Sequence, residues 1–210
     1  MTIIAIDGTF ASGKGTLGKR LAAHYGLNYL DTGKLYRAVA LELISQKGET
    51  DNISHIMAAF SRIDTDQLDN SALKGADIAA TASQIAVHTQ LRDALLSYQR
   101  DIAAKGAVLD GRDIGTVICP HADVKLYIDA DPDIRAARRH KELVALGEDI
   151  TFATVRAQLH ERDMRDKTRK TAPLKPAQDA HLLDTSNLSI GCAFETAHRL
   201  IDAIMAAKSA

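Results

Sequence analysis

An apolar run, Ile3-Ile4-Ala5-Ile6, leads into Gly8-Thr9-Phe10-Ala11-Ser12-Gly13-Lys14-Gly15-Thr16, and that stretch leads directly into a helical pattern from Leu17 to Tyr25. A buried strand, a glycine-rich turn, a lysine and a helix in that order leave few folds open. Backbone N–H groups of the turn and of the helix N-terminus converge into a cradle for phosphate. Lys14 then reaches the outer phosphates of a nucleoside triphosphate as a mobile point charge. The spacing G-x-x-x-x-G-K is the P-loop pattern, with one departure: Gly15 follows the lysine where Ser or Thr is usual. The hydroxyl comes one residue later, so Thr16 is the expected contact to Mg²⁺, directly or through water. A chance glycine turn is the alternative, and the flanking strand and helix speak against it.

Further strand-like runs recur at Asn28–Leu30, Ala107–Asp110, Val124–Asp129 and His181–Asp184, in addition to Ile3–Asp7. Between them lie helical patterns at Gly15–Tyr25, Lys34–Gln46, Ile78–Lys105, Pro132–Leu146, Phe152–Lys170 and Ile190–Lys208. Short apolar strands alternating with helices predict an α/β fold with a parallel five-stranded sheet flanked by helices. Ligands in such sheets bind at the carboxyl ends of the strands. Five of the strand runs end there in an aspartate: Asp7, Asp31, Asp110, Asp129 and Asp184. The polar segment Gly48–Gly75 reads either as a small insertion over the site or as a surface loop containing a helix. The break around Gly147 predicts a helix–turn–helix flap.

The remaining bulk properties exclude function classes rather than assign one. A formal charge of -1, with acidic and basic residues interleaved, gives no support to nonspecific binding of nucleic acid or membrane. Two cysteines, Cys119 and Cys192, form no metal or redox motif and suit a reducing compartment. With no signal-peptide pattern and no apolar run of about 20 residues, the expectation is a soluble, cytoplasmic monomer that spans 1–210 as one domain.

Four stretches carry the chemistry. In Asp31-Thr32-Gly33-Lys34-Leu35-Tyr36-Arg37 a turn opens a helix with an arginine one turn inside, suited to a second phosphate or to ordinary capping. Asp110-Gly111-Arg112-Asp113 places two carboxylates and a guanidinium at a strand's carboxyl end, more like a site than a connector. Arg135, Arg138 and Arg139 share one helix face, which is unfavourable unless an anion sits opposite. Otherwise Arg135 and Arg139 pair with Asp131 and Glu142. Finally, Glu161–Arg169 contains opposite charges at i,i+4, as a freestanding solvated helix does, yet Arg162, Asp166 and Arg169 also share a face.

Taken together with Ala82-Ser83-Gln84, Leu91-Arg92, Ala172-Pro173-Leu174 and Asp184-Thr185-Ser186, these stretches resemble the bacterial-type cytidylate kinases, within the nucleoside monophosphate kinase group. The resemblance runs the length of the chain. It implies a P-loop NTPase-like core of about 1–32, 81–131 and 171–210, a monophosphate-binding lobe at 33–80 and a lid at 132–170. It also implies transfer of the γ-phosphoryl group of ATP to CMP or dCMP with Mg²⁺, giving CDP or dCDP. By that likeness Gly8–Thr16 hold the ATP phosphates, Arg37 and Arg112 grip the CMP phosphate, and Thr32 is a further substrate contact. Ser83, Arg92 and Asp113 read the base, and Arg162 and Asp166 contact the sugar. Lys14, Arg135, Arg139 and Arg169 act on the transferring phosphate, with Arg138 beside them. Phe10-Ala11-Ser12 depart from the family's usual small residues, and Gly48–Gly75 is too short and helix-like for the β-insert many relatives carry.

Other readings are a P-loop kinase for a different monophosphate or small metabolite, a P-loop switch, and a nucleic-acid binder. Switches of the GTPase type carry Asn-Lys-x-Asp, which this sequence lacks. The basic stretches at 135–141 and 156–170 are interleaved with Asp and Glu, which opposes nucleic-acid binding.

Overall fold

Strand β1 (Ile3–Gly8) is central in a five-stranded, all-parallel sheet, with β2 (Asn28–Asp31), β3 (Ala107–Gly111), β4 (Val124–Asp129) and β5 (His181–Asp184) in the order β2-β3-β1-β4-β5. The computed structural model describes residues 1–209, so Ala210, the last residue of the expected domain, lies outside the described residues. β1 pairs with β3 from Ile3↔Ala107 and with β4 from Ile4↔Val124. Successive side chains of β1 feed opposite layers, as strand geometry requires. Ile4 and Ile6 join Leu17, Leu21 and Ala22 of α1 (Lys14–Tyr25) and Ala197 and Ile201 of α8 (Ile190–Ser209). Ala5 joins the other layer, built from α2 (Thr32–Ser45), α3 (Ile53–Phe60), α4 (Ala76–Ile85) and α5 (Thr89–Ala103). The predicted α/β fold is therefore present, with all five strands within a residue or so of their expected bounds.

Two segments sharpen the pattern in the sequence. The 78–105 stretch is two helices, α4 and α5, interrupted at 86–88. No glycine or proline marks the break. It frees the Ala86 carbonyl, which accepts a hydrogen bond from Arg92 Nη1 at 3.0 Å. The 48–75 segment contains a helix, as one of its two readings had it, but that helix is packed into the core rather than lying in a surface loop. It holds α3, capped by Asn52 Oδ1 on the N–H groups of Ser54 and His55, followed by two short 3-10 turns. Ile56 and Ala59 of α3 are fully buried in the core.

Beyond β4, α6 (Pro132–Ala145) and α7 (Phe152–Thr168) form the expected helical hairpin, turning at Gly147. Asp131 caps α6 by accepting from the N–H groups of Asp133 and Ile134, with Pro132 in the first turn. Among the described residues, no helix is long and apolar enough to cross a membrane.

Candidate active site

The phosphate loop leaves β1 at Gly8, where only glycine fits. A Cβ there would stand 1.9 Å from the Ile128 carbonyl oxygen of the neighbouring strand. Beyond it, the loop is anchored from several directions. Thr9 Oγ1 donates to Asp129 Oδ1 at 2.6 Å, and Ser12 Oγ donates to the Thr9 carbonyl at 2.9 Å. Thr185 Oγ1, after β5, donates to the Ser12 carbonyl at 2.7 Å, and Arg135 Nη1 donates to the Phe10 carbonyl at 3.2 Å. These bonds fix the loop through its carbonyls and leave its N–H groups uncommitted by them.

Lys14 Nζ lies 3.5 Å from Asp110 Oδ1 and 3.5 Å from the Thr9 carbonyl. Burial, together with the nearby Arg112 charge, lowers its pKa to about 8. Asp110 moves the opposite way: burial raises its carboxyl, against the pull of Lys14. The absent side chain at position 15 has a local cause. A Cβ on Gly15 would sit 3.3 Å from Asp110 Oδ2 and 3.6 Å from Tyr29 Oη, which itself donates to that carboxylate at 3.2 Å. Asp110 thus occupies the space into which a residue-15 hydroxyl would project.

Between the loop and the carboxyl ends of β2 and β3 lies a cavity of about 190 Å³. Its lining includes Lys14, Arg37, Arg92, Arg112, Arg162 and Arg169, set against Asp31, Asp110, Asp113 and Asp166. Six cationic side chains face four carboxylates, an excess of two positive charges. Arg37 Nη2 meets Asp31 Oδ2 at 2.6 Å, and Arg92 Nη2 meets Asp113 Oδ2 at 2.5 Å. Asp166 accepts from Arg112 Nε at 3.1 Å, with Arg162 Nε at 3.9 Å and Arg169 Nη1 at 4.0 Å. Burial alone would raise Asp166, yet these three guanidinia hold its carboxyl below the usual range. Arg162 Nε and Arg169 Nη2 are buried without a hydrogen-bond partner. Orphaned buried donors of this kind are costly unless a ligand satisfies them. Thr32 and Ser83 also line the cavity; Thr32 Oγ1 donates to the Asp110 carbonyl, and Ser83 Oγ accepts from Arg165 Nη1 at 2.8 Å.

A second cavity, about 550 Å³, lies on the other side of the loop. Ser12, Gly13, Gly15 and Thr16 form one wall, with Arg138, Arg139 and Thr185 opposite. The arginines at 135, 138 and 139 therefore separate. Arg138 donates to the carbonyls of Ser12 and Thr185. Arg139 pairs with Glu142, as its spacing allows, and donates to the Lys74 carbonyl. Arg135 is 2 % exposed and makes a bidentate bridge to Asp163 at 3.2 and 2.6 Å, away from both cavities. Asp131 is not its partner, being spent on the helix cap. The charged helix α7 is not freestanding either. Of its four i,i+4 pairs only Arg162–Asp166 forms, while Asp163 and Asp166 reach across to Arg135 and Arg112.

A cytidylate kinase family profile matches residues 4–203. The chain belongs to the cytidylate kinase family. A cytidylate kinase of Rhodopseudomonas palustris strain BisB18 is 51% identical over 208 residues, covering 98% of each chain. One from Caulobacter vibrioides strain NA1000 is 48% identical over 202 residues, 95% of each. In fold, an uncharacterized protein from Eubacterium ventriosum superposes with a TM-score of 0.54 at 18% identity, over 96% of this chain and 99% of that one. In and beside the two cavities, the side chains to which sequence reasoning gave no role are Tyr36, Arg165 and Asp7. Tyr36 lies under the Arg92 guanidinium, and Asp7 accepts from the N–H groups of Ile114 and Gly115 at 2.7 and 2.8 Å. Asp7 ends a strand, which was the available signal; a tyrosine in a helix carries none.

Proposed function

We propose that the protein transfers the γ-phosphoryl group of ATP to CMP and dCMP, acting as a monomer. The observation that carries this reading is the cationic cavity beside a phosphate loop that has a second cavity on its far side. An excess of two positive charges matches a phosphate monoester dianion, and the two orphaned guanidinium donors, on Arg162 and Arg169, are free to bond the sugar and the transferring group. ATP then occupies the larger cavity, its phosphates on Gly8–Thr16, and the monophosphate occupies the smaller one.

In this reading Thr32, Arg37 and Arg112 hold the acceptor phosphate, Arg162 and Asp166 the sugar, and Ser83, Arg92 and Asp113 the base. Cytosine offers an N4 amino donor to Asp113 and Ser83, while its N3 and O2 accept from Arg92. Uracil presents an oxygen at position 4, which leaves a buried carboxylate facing an acceptor. An acceptor-phosphate oxygen attacks Pγ, the bond from Pγ to the β,γ-bridging oxygen breaks, and ADP departs. No protein nucleophile is required. Lys14, Arg139 and Arg169 neutralise charge on the moving group, and closure of the 132–170 lid over the 33–80 lobe excludes water. Arg135 serves that lid by strapping α6 to α7 and to the loop.

Among the described residues no cluster of His, Cys, Asp or Glu forms a metal cage. Mg²⁺ needs only one or two protein oxygens beside phosphate and water. Asp110, seated against Gly15, and the Thr16 hydroxyl fit that demand. Held there, the ion would supply positive charge that offsets the charge developing on the phosphate oxygens.

The test is an ADP-release assay with ATP, Mg²⁺ and a panel of nucleoside monophosphates, run with wild type and Lys14→Ala. Turnover must peak with CMP or dCMP and collapse in the variant. A maximum with another monophosphate or with a small metabolite would assign a different acceptor.

A further inference from the structure

Phe10 is a large aromatic side chain within the glycine-rich phosphate loop. Its ring does not face the larger cavity. It lines the acceptor cavity and a neighbouring one of about 220 Å³ between α4 and α7. The Arg162 guanidinium lies over the ring at 3.9 Å from its centroid, and that of Arg139 at 5.4 Å. The carbonyl of the same residue accepts from Arg135. One loop residue therefore touches three arginines from both helices of the hairpin.

Arg162 has poor alternatives. Its Nε is buried with no hydrogen bond, Asp166 is 3.9 Å away, and its contact with the Ala79 carbonyl is 3.4 Å long. Three further guanidinia, Arg112, Arg37 and Arg139, repel it, and with burial they lower its pKa to about 9. The negative face of the ring is its nearest compensation. Ala11, next to it in the loop, is held at φ +61, a conformation uncommon for a residue with a side chain.

We infer that Phe10 is a positioning residue that couples the two nucleotide sites: carried on the loop that holds the triphosphate, its ring presents the Arg162 guanidinium to the acceptor. The inference rests on the two-nucleotide reading above. By reciprocity, each nucleotide must then raise the affinity for the other by the same factor.

Calorimetric titration of CMP, with and without saturating β,γ-methylene ATP, measures that factor in wild type, Phe10→Leu and Phe10→Trp. Leucine keeps apolar bulk and removes the π face; tryptophan keeps the face. The wild type is expected to bind CMP about tenfold more tightly with the analogue present, a factor in the range of one desolvated cation–π contact. Phe10→Leu should bring the ratio to within twofold of unity, and Phe10→Trp should retain most of it. In steady state Phe10→Leu should raise KM for CMP by more than it lowers kcat. Because the readout is a ratio, a change in ATP affinity alone cancels. An unchanged ratio in Phe10→Leu, an equal loss in Phe10→Trp, or no coupling in a wild type that phosphorylates CMP each overturns the inference alone. A wild type that does not phosphorylate CMP overturns the reading beneath it.

Discussion

Asp113→Asn separates base recognition from everything else in the cleft, because it keeps the shape of the side chain and changes only its hydrogen-bonding character. In the wild type the carboxylate is clasped by Arg92 at 2.5 Å, with Arg169 at 3.9 Å, and both members of the close pair are under a tenth exposed. A charge-assisted hydrogen bond from cytosine N4 to this group is worth about 1.5–3 kcal/mol. An acceptor of uracil set against it costs about 1–3 kcal/mol as an unsatisfied buried pair. The asparagine amide removes the charge from the first and donates to uracil O4 in the second. The two effects sum to roughly 2.5–6 kcal/mol, so the ratio of kcat/KM for CMP over UMP should fall by about 10² to 10⁴. Asn Oδ1 still accepts from Arg92, which also holds the Ala86 carbonyl, so the fold should survive. The assay is ADP release with each acceptor at fixed ATP, beside a thermal melt. A folded variant whose ratio stays within threefold of wild type would refute the assignment of Asp113 to the base.

Three other outcomes follow from the geometry. Lys14 titrates near 8 in the free protein and must be charged to hold phosphate, so kcat/KM for ATP should decline with a midpoint near that pH, while kcat, read with phosphate in place, should hold to higher pH. Asp163→Ala leaves Arg135 buried and unpaired and should lower stability by about 3–5 kcal/mol in urea titration, whereas a loss under 1 kcal/mol would mean the bridge is dispensable. Asp7 is lifted by burial from 3.8 to about 7. Between those values the folded state holds a proton that the unfolded state has released, so this group makes stability fall as pH rises; Asp7→Asn should flatten that part of the pH–stability profile.

The sheet was legible in the sequence because its strands are short apolar runs ending in aspartate, and the phosphate loop because its spacing is mechanical. The break between α4 and α5 was hidden: Ala86-Val87-His88 has no breaker residue, and the bond that accompanies it, from Arg92 back to the Ala86 carbonyl, depends on a side-chain direction that residue type does not disclose. The same limit applied to α7. Its charges at i,i+4 describe a solvated helix equally well, and only the packing shows Asp163 and Asp166 turned to partners 28 and 54 positions away. The three arginines at 135–139 illustrate the converse. One helix face brought them together in the sequence, but burial, Asp163 and Glu142 direct each to a different task.

The position of β1 at the centre of the sheet sets the order in which the chain can acquire structure during synthesis. The first strand made is Ile3–Gly8, and both its neighbours, beginning at Ala107 and Val124, lie over a hundred residues later. At translation rates of about 5–20 residues per second, the apolar run waits on the order of 5–20 s without a partner. The loop is completed later still, since Thr185 supplies its anchor on Ser12. A nascent chain therefore spends most of its synthesis with a sticky, unpaired edge and no working phosphate cradle. Variants that slow translation between β1 and β3, rather than those that weaken the finished protein, are where chaperone dependence should first appear.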